Sequence, residues 1–503
     1  MEPLSPISTN TSTNANSNTP PSSVPSPASA GPDAPFRIAI IGGGIGGLTA
    51  ALFLNEFCTS PSHRRIEVSI YEQAQEYREI GAGIGLGANA TKLFARILDE
   101  YGESSLLESI NAISGSRNGV WFIFRRFDTG EEIVTIPRNE PEDSKIRFVA
   151  VSRAEVHAVL LKFVQDNHDM EGRLFVGKKL QSIVEDDSDP AAPTHPEQET
   201  NQTARPVKIN FEDGTTAAAD LVIAADGIRS AARQQFIRDN AVYGRKVLYR
   251  GLVPMSELPS PWPLSSHVAM WNAVGKHFVI YPISADKTLN IIGCTDKDES
   301  EIPDLQESWV STCDKSEIED DFKEFQDPLV KEVIRLMPDL ISKWRINDRK
   351  PAEEWVFLDG RVVLLGDAAH PMVPHQSAGA GQAVEDGYIL AKALSEYLAT
   401  SPPASMVDSA IHIAADKNLS AETKTNNLKK WMDLYQHVRM PRAARTQESS
   451  RKAGDLFEMM SSEMEGKSYD ERLPILIEGA KNNMKWIWTE DIDAAYEKHR
   501  GDM

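Results

Sequence analysis

The feature that most constrains the fold is a run of glycines between an apolar segment and a helix-forming one. Residues 36–41, FRIAII, are rich in β-branched side chains, and five glycines follow within positions 42–47. The next residues, LTAALFL, are typical of a helix. Gly42, Gly44 and Gly47 fit the pattern G-x-G-x-x-G in the strand–turn–helix context that this pattern requires. The alternative is a glycine-rich turn on an α/β sheet of another kind.

Each of these glycines has a physical task in a dinucleotide-binding turn. Gly42 permits the tight turn, Gly44 lets the backbone approach a pyrophosphate, and Gly47 lets the helix pack on the strand. The helix N-terminus then presents unpaired N–H groups to the phosphates. A second strand-like run, IEVSIY, ends at Glu72, whose carboxylate is suited to accept hydrogen bonds from ribose hydroxyls. The sequence therefore predicts a Rossmann-like unit within an α/β fold. The uncharged stretch around the turn does not indicate a membrane span, because the glycines interrupt it.

The charge balance excludes some classes of partner. The 74 acidic and 53 basic residues give a formal net charge of -21. Nucleic acids and anionic membranes select basic surfaces, so we expect no nucleic-acid partner and no stable membrane insertion. The cysteines Cys58, Cys294 and Cys313 are few and widely spaced, which favours a reducing compartment over a disulfide scaffold or a zinc site. His370 and His375 bracket a loop with two prolines, and a structural or cofactor-lining role is favoured over a metal there.

Two segments are polar, and their composition predicts no regular secondary structure. Residues 1–35 carry two charges, and 24 of them are Ser, Thr, Asn or Pro, so we expect a disordered tail. This tail lacks the basic and apolar regions of a secretory signal, and the cytosol is the default location. A regulatory or targeting tail is the alternative to a passive extension. Residues 186–205 are acidic and poor in apolar side chains, which predicts a surface loop.

Two later motifs follow the same strand-to-turn pattern. The run DLVIAADGIRS places Asp226 and Gly227 after an apolar strand, and RVVLLGDAAHP places Asp367 after another. The glycine-rich segment SAGAGQ, residues 377–382, then leads into a helix. Taken alone, each aspartate is better explained as a helix N-cap, and only the combination of these motifs favours a cofactor role.

In this order, the three motifs resemble the single-component FAD-dependent aromatic hydroxylases, the class of p-hydroxybenzoate and salicylate hydroxylases. The likeness is strongest to fungal salicylate-hydroxylase-like monooxygenases of aromatic polyketide pathways. It extends from residue 36 to about residue 454 and includes the run YQHVRMPR at residues 435–442.

The resemblance and the glycine pattern together define an expected FAD site. Glu72 is expected at the adenosine ribose, Arg153 at the ribityl or pyrophosphate region, and Asp367 at the ribityl chain. The backbone N–H groups around Ala380 are expected to face the flavin ring, where a helix N-terminus would stabilise the reduced flavin anion. The expected cofactor-binding residues are Gly42, Gly44, Gly47, Glu72, Gly83, Gly85, Arg153, Asp226, Gly227, Asp367, Ala380 and Gly381.

The resemblance also implies the reaction. NAD(P)H would reduce FAD, and oxygen would add to give a flavin C4a-hydroperoxide that attacks a small phenolic substrate. Such a ring reacts as a phenolate, so a cation or strong donor is needed beside its oxygen. Arg250 and Tyr281 lie on strand-like runs, VLYRGL and HFVIYP, and fungal phenol-dearomatising members have an Arg and a Tyr at comparable places. We therefore expect Arg250 and Tyr281 to be catalytic. The alternative is that Arg250 pairs with a structural carboxylate and Tyr281 is a core aromatic.

The expected architecture is a Rossmann-like FAD-binding domain, an inserted β-sheet substrate domain and a C-terminal helical region. These correspond to residues 36–110, 151–238 and 351–400; to residues 111–150 and 239–350; and to residues 401–503. Trp431 to Val438 have helical spacing, which predicts one inward helix face. Trp486 and Trp488 are read as docked aromatics or as a dimer contact, so a monomer and a homodimer both remain open.

Several functional alternatives also remain open at this stage. Dearomatising hydroxylation in fungal secondary metabolism and salicylate-type decarboxylating hydroxylation would use the same frame, with either NADH or NADPH. A halogenase of this fold is disfavoured because the W-x-W-x-I-P run is missing. A binding module without flavin is the alternative from another class, and Asp367 with the turn around Gly379 favours a bound flavin over it.

Overall fold

The computed structural model describes residues 34–77, 83–98, 104–115, 120–138, 141, 144–167, 170, 172–185, 206–260, 262–264, 266–302, 311–400 and 427–503. The predicted loop at residues 186–205, and nearly all of the predicted N-terminal tail, lie outside these residues.

The strands and helices are numbered in chain order. The strands are β1 (Phe36–Ile41), β2 (Ile66–Tyr71), β3 (Gly83–Leu86), β4 (Val120–Arg126), β5 (Glu132–Pro137), β6 (Val149–Ser152), β7 (Leu174–Phe175), β8 (Leu180–Glu185), β9 (Val207–Phe211), β10 (Thr216–Ala219), β11 (Leu221–Ala224), β12 (Val242–Pro254), β13 (Ser266–Ala273), β14 (Lys276–Ile283), β15 (Thr288–Asp296), β16 (Thr312–Asp314), β17 (Leu340–Asp348), β18 (Val356–Phe357) and β19 (Val362–Leu364). The helices are α1 (Ile45–Cys58), α2 (Ala88–Phe94), α3 (Leu106–Ile113), α4 (Arg153–Gln165), α5 (Ala231–Phe236), α6 (Ser316–Asp321), α7 (Pro328–Leu336), α8 (Gly379–Ala399), α9 (Asn427–Phe457), α10 (Tyr469–Asn482), α11 (Lys485–Thr489) and α12 (Ile492–Gly501).

A six-stranded sheet forms the first layer, in the order β18-β19-β11-β1-β2-β7. All its pairs are parallel except β18 with β19. The central strand β1 is apolar and buried from Ile38 to Ile41, as expected of a parallel sheet covered on both faces. Helices α1 and α8 pack tightly together beside this sheet. An added Cβ at Gly387 of α8 would lie 3.1 Å from the backbone of Ala50, so the two helices cross at a glycine.

An eight-stranded sheet forms the second layer, in the order β16-β17-β12-β15-β14-β13-β4-β5. Its pairs are antiparallel except β13 with β4. Its outer face carries Trp271 and Phe278, which pack with Phe322 and Phe325 near helix α6. Its inner face carries Arg250 and Tyr281, together with the residues that line up with them across the strands and every second residue along each strand. This face packs against the two-stranded ribbon of β3 and β6. An added Cβ at Gly83 would lie 2.7 Å from the Tyr281 ring.

The C-terminal helices cover both layers. Trp431, Leu434, Tyr435 and Val438 of α9 are all buried, which agrees with the helical spacing of the sequence. Trp488 lies 4.7 Å from the ring of Trp121, so this tryptophan packs within the chain. Smaller sheets, β10-β9-β8 and β3-β6, complete the architecture. Among the described helices, none has both the length and the apolar composition needed to cross a bilayer.

The predicted fold class is confirmed: a Rossmann-like sheet, a second β-sheet and a C-terminal helical region are all present. The division into domains stays a prediction. The strands of the six-stranded sheet lie within the segments expected for the FAD-binding domain, and those of the eight-stranded sheet lie within the segments expected for the substrate domain.

The α1–α8 crossing generates a stability prediction. Gly387→Val should lower the free energy of unfolding by about 1–3 kcal/mol, because the new side chain overpacks against the Ala50 backbone. The matched control is Gly501→Val, since Gly501 is also helical but has open space around its Cβ position. Thermal unfolding of both variants measures the effect. Equal melting temperatures for the two variants would contradict the assigned packing.

Candidate active site

The expected cofactor residues meet at one edge of the six-stranded sheet. Gly42 follows β1, Glu72 follows β2, Asp226 follows β11, and Asp367 follows β19. Because these strands are parallel, their carboxyl ends lie at the same edge. The chain leaves β1 towards β2 and later returns to the opposite side of β1 as β11. Such a point, where the strand order reverses, is called a topological switch point. Ligands of open α/β sheets bind at the carboxyl ends of the strands there.

The three fingerprint glycines have different surroundings. Gly42 has a φ of +105°, and an added Cβ would lie 2.3 Å from the Ala225 carbonyl oxygen. An added Cβ at Gly47 would lie 2.0 Å from the Gly42 carbonyl oxygen. Gly44 differs, since its φ of -75° suits any residue and nothing lies within 4 Å of its Cβ position. The space before helix α1 is therefore open, as a pyrophosphate would require.

Glu72 is held beside this glycine turn by backbone donors. Its carboxylate accepts the Gly43 N–H at 2.8 Å on one oxygen and the Ala74 N–H at 2.8 Å on the other. Each oxygen keeps a further lone pair for a ligand hydroxyl. His157 was not predicted from the sequence; its buried Nε2 lies 2.8 Å from the Gly43 carbonyl oxygen and fixes the turn from helix α4.

Asp226 retains an unsatisfied oxygen. Its Oδ2 accepts the Ala232 N–H at 3.2 Å, while its buried Oδ1 has no hydrogen-bond partner among the described residues. Ser230, not Asp226, is the N-cap residue of helix α5, and it accepts the Arg233 N–H at 2.8 Å. Burial raises the pKa of Asp226, although hydrogen bonds from Ser230 and the backbone act against this rise. A buried carboxylate oxygen is stable only with a donor, so this atom fits a ligand that brings one. Gly227, with a φ of +78°, has open space beside it.

Asp367 lies on the wall of a cleft. Its side chain is exposed to solvent. Nevertheless, desolvation by surrounding protein raises its pKa, although His370 and Arg153 act in the opposite direction. Arg153 also acts electrostatically on Arg250. Arg153 therefore lies within electrostatic reach of both the expected flavin residue and the expected substrate residue.

The first turn of helix α8 carries Ala380 and Gly381. Ala380 is half-buried and Gly381 is buried, and the N-cap residue Ala378 provides no side-chain cap. The unpaired N–H groups of a first helical turn attract negative charge, so this end of α8 suits the anionic edge of a reduced flavin. An added Cβ at Gly381 would lie 3.2 Å from the Asn89 side chain, so helix α2 flanks the same cleft.

Gly83 and Gly85 lie between the two layers, on strand β3. An added Cβ at Gly83 would lie 2.8 Å from both the Tyr281 hydroxyl and the Asn290 side chain. At Gly85, it would lie 2.6 Å from the Phe148 ring. These glycines let the ribbon approach the substrate sheet closely, and their binding to the cofactor stays a prediction.

Arg250 and Tyr281 share the inner face of the eight-stranded sheet. Arg250 pairs in register with Ile292, which pairs with Val279, and Tyr281 follows two residues later on the same face. Burial raises the pKa of Tyr281 to about 12, with Arg250 acting in the opposite direction. The side chain of Tyr281 is therefore a neutral hydrogen-bond donor in the physiological pH range.

The half-buried guanidinium of Arg250 has an aromatic neighbour and, among the residues that the structure describes, no acidic one. Its Cζ lies 4.6 Å from the centre of the Trp344 ring. Its buried Nε has no hydrogen-bond partner, and in the described part of the chain no carboxylate pairs with the guanidinium. Burial lowers the pKa of Arg250, as does Arg153. The structural carboxylate of the alternative interpretation is not found among the described residues.

A buried polar cluster lies farther along the same face. The ligand atoms of His277, Cys294 and His375 lie within 4.8 Å of one another. Glu458 accepts the Cys294 thiol at 3.0 Å and forms a buried ion pair with Lys246. Glu458 thus connects the cluster to Lys246, and the expectation that no metal is bound stays a prediction.

Other buried charges support the turn that carries Asp367, and sequence reasoning missed them. Arg233 donates to the carbonyl oxygens of Ala368 at 3.0 Å and Ala369 at 2.7 Å. Asp386 accepts the Gly366 N–H at 2.9 Å. The sequence signal for such residues is a charged side chain within an apolar helical run. The partners of Arg233 and Asp386 could not be found from it, because they lie far away in the sequence.

Comparison with known proteins agrees with this geometry. A family model described as an FAD binding domain matches residues 192–416. The chain is 30% identical over 366 residues to 6-hydroxynicotinate 3-monooxygenase of Pseudomonas fluorescens, covering 72% of this chain and 83% of that protein. It is 29% identical over 466 residues to 6-methylsalicylate 1-monooxygenase of Aspergillus terreus, covering 91% and 90%. A solved substrate complex of salicylate hydroxylase superposes with a TM-score of 0.68 at 25% identity, covering 92% and 98%.

The switch-point geometry fits a dinucleotide cofactor, and the relatives identify the chain as a flavin-dependent oxidoreductase. The chain belongs to the FAD-dependent monooxygenases, the family of salicylate hydroxylase and fungal relatives such as the 6-methylsalicylate enzyme. FAD is the cofactor, and the family uses it with NAD(P)H and molecular oxygen. The open Gly44 turn and the unsatisfied Asp226 oxygen fit this cofactor.

The different surroundings of Gly44 and Gly47 generate a prediction. Gly44→Val should leave the melting temperature of the apoprotein unchanged, because its backbone conformation and surroundings accept a side chain. The same change should weaken FAD binding by about 100-fold or more, equal to roughly 2.7 kcal/mol. Flavin fluorescence titration measures the affinity. Gly47→Val is the matched variant; it should also lower the melting temperature, since its side chain meets the Gly42 carbonyl. Normal FAD affinity in Gly44→Val would rule out a pyrophosphate at this turn.

Proposed function

We propose that this monooxygenase hydroxylates a phenol that Arg250 and Tyr281 hold as its phenolate. The observation that carries the proposal is the guanidinium of Arg250, which is half-buried, packed on Trp344 and not ion-paired with any described residue. A cation in this position is costly unless an anion joins it. An anionic substrate oxygen supplies that anion.

The surroundings of Arg250 favour an aromatic substrate. Across the sheet, the register row Phe124, Met270, Val279 and Ile292 leads to Arg250, and apart from the arginine the row is apolar. Phe124, Met270 and Val279 are buried. An aromatic ring can lie against such a surface while its phenolic oxygen meets the guanidinium.

Tyr281 has a separate task. With a pKa near 12, it stays protonated at neutral pH and donates to the same oxygen instead of competing for the cation. One charged and one neutral donor favour the phenolate over the phenol. The phenolate form is the electron-rich form that aromatic hydroxylation requires.

The cofactor residues complete the arrangement. Bound FAD supplies the activation of oxygen at the expense of NAD(P)H. The chain's part is to hold FAD at the switch point through Glu72, Asp226 and Asp367, and to direct the N-terminus of α8 towards the ring edge. The β3–β6 ribbon between the two layers shields the reacting region from water. A place in fungal polyketide metabolism is supported by relatives such as the 6-methylsalicylate enzyme.

A second candidate is salicylate-type decarboxylating hydroxylation. Arg153 lowers the pKa of Arg250, and two neighbouring cations suit a substrate that carries both a phenolate and a carboxylate. In this candidate, Arg153 holds the carboxylate. The carbon dioxide released distinguishes it from hydroxylation without decarboxylation.

The proposed function is tested on the purified protein loaded with FAD. NADH and NADPH oxidation in air is measured with a panel of alkylated resorcinols, salicylates and the corresponding methyl ethers. Stimulation by free phenols, but not by their methyl ethers, is the expected result. Equal stimulation by both sets would contradict phenolate recognition.

The role of Arg250 gives a quantitative prediction. Arg250→Met should lower kcat/KM on a phenol by about 10- to 100-fold, the range for losing a hydrogen bond to a charged group. The control is Arg125→Met, which removes an arginine from the outer face of the same sheet, where it pairs with Asp327 at 3.5 Å. Steady-state kinetics at saturating NAD(P)H compares the two variants. A wild-type kcat/KM in Arg250→Met would refute the assignment.

A further inference from the structure

A fully buried carboxylate holds the turn that carries Asp367. Asp386, on helix α8, accepts the Gly366 N–H at 2.9 Å and approaches the His370 ring nitrogen Nε2 at 2.5 Å with the same oxygen, Oδ2. Asp386 and His370 are 0% and 1% exposed. The two contacts lie on either side of Asp367 in sequence, so one side chain fixes both ends of the turn.

Arg439 of helix α9 holds Asp386 in place. Its Nε donates to Asp386 Oδ1 at 2.7 Å, and its Nη1 donates to Glu385 Oε2 at 2.5 Å. Its Nη2 donates to the Gln382 side chain at 2.8 Å, in the first turns of α8. Burial would raise the pKa of Asp386, but His370 and Arg439 overcome this and lower it to about 2. Asp386 is therefore a carboxylate throughout the physiological pH range.

The same network reaches the other wall of the cleft. Asn89, on helix α2 directly after strand β3, donates to Glu385 Oε1 at 2.6 Å. Arg442 donates to Glu385 and also to the Ile487 carbonyl oxygen at 2.6 Å. Segments from three distant parts of the chain are thus fixed to one pair of carboxylates.

We propose that Asp386, held by Arg439, is a positioning residue for FAD binding. Its carboxylate oxygens bind Gly366, His370 and Arg439, and through these contacts it sets the Gly366–Asp367 turn relative to the N-terminus of α8. A buried charge network is weak evidence for stability, because well-packed apolar residues often replace one without loss. Its contacts instead define a geometry, and that geometry joins two expected FAD-binding segments.

The test measures FAD affinity and apoprotein stability separately, with the full chain. Asp386→Asn should raise the Kd for FAD by about 10- to 100-fold, as is typical when the partners of ligand-binding groups are removed. The control is Trp271→Phe, which removes a buried 2.7 Å hydrogen bond to Asp327 near the outer face of the second sheet. Both changes should lower the melting temperature of the apoprotein, but only Asp386→Asn should change the Kd measured well below that temperature.

A double variant tests whether the two residues act as a unit. Arg439→Gln combined with Asp386→Asn should raise the Kd no further than the larger of the single effects, since residues of one network are not additive. A Kd within twofold of wild type in Asp386→Asn, with a melting temperature lowered as in the control, would overturn the proposal. Fully multiplicative effects of the two changes would overturn it as well.

If Asp386→Asn does not fold, His370→Leu carries the test. This change removes one contact of Asp386 and leaves the Arg439–Asp386 pair intact. A raised Kd for FAD supports the positioning role, and an unchanged Kd refutes it.

Discussion

The parallel pairing of β1 with β2 and β11, and of β11 with β19, is the constraint on which the site depends. It places the carboxyl ends of strands from residues 36 to 364 at one edge. The glycine turn, Glu72, Asp226 and Asp367 therefore meet, although more than 300 residues separate the glycine turn from Asp367. In the proposed function, the second sheet presents Arg250 and Tyr281 to this edge across the β3–β6 ribbon.

The buried arginines differ in whether the chain supplies a counter-ion for them. Buried cations near the cofactor side are neutralised within the chain: Arg439 by Asp386 and Glu385, and Arg233 by Asp239. Arg250 has no such counter-ion among the described residues and packs on Trp344 instead. Under the proposed function, the neutralised cations fix the backbone that holds FAD, whereas Arg250 binds the anionic oxygen of the substrate.

The sequence predicted the features that depend on local backbone chemistry. The Gly42–Gly47 turn and the runs ending at Asp226 and Asp367 are short, and their geometry follows from neighbouring residues. The Asp386–Arg439 pair was not predicted, because 53 residues separate its members and the run at residues 435–442, which contains Arg439, does not identify its partner. The two interpretations of Arg250 could be weighed only in the fold, since a missing counter-ion is a property of neighbours. His157 was not predicted for the same reason, since its partner Gly43 is a neighbour only in the folded chain.

The most direct test of the account is the fate of isotopically labelled oxygen. The FAD-loaded protein is supplied with NAD(P)H, a free phenol and ¹⁸O₂, and the product is analysed by mass spectrometry. The account predicts one labelled oxygen atom in each hydroxylated product, with none from labelled water. NAD(P)H consumption that yields only hydrogen peroxide with every free phenol tested, or product oxygen derived from water, would contradict it.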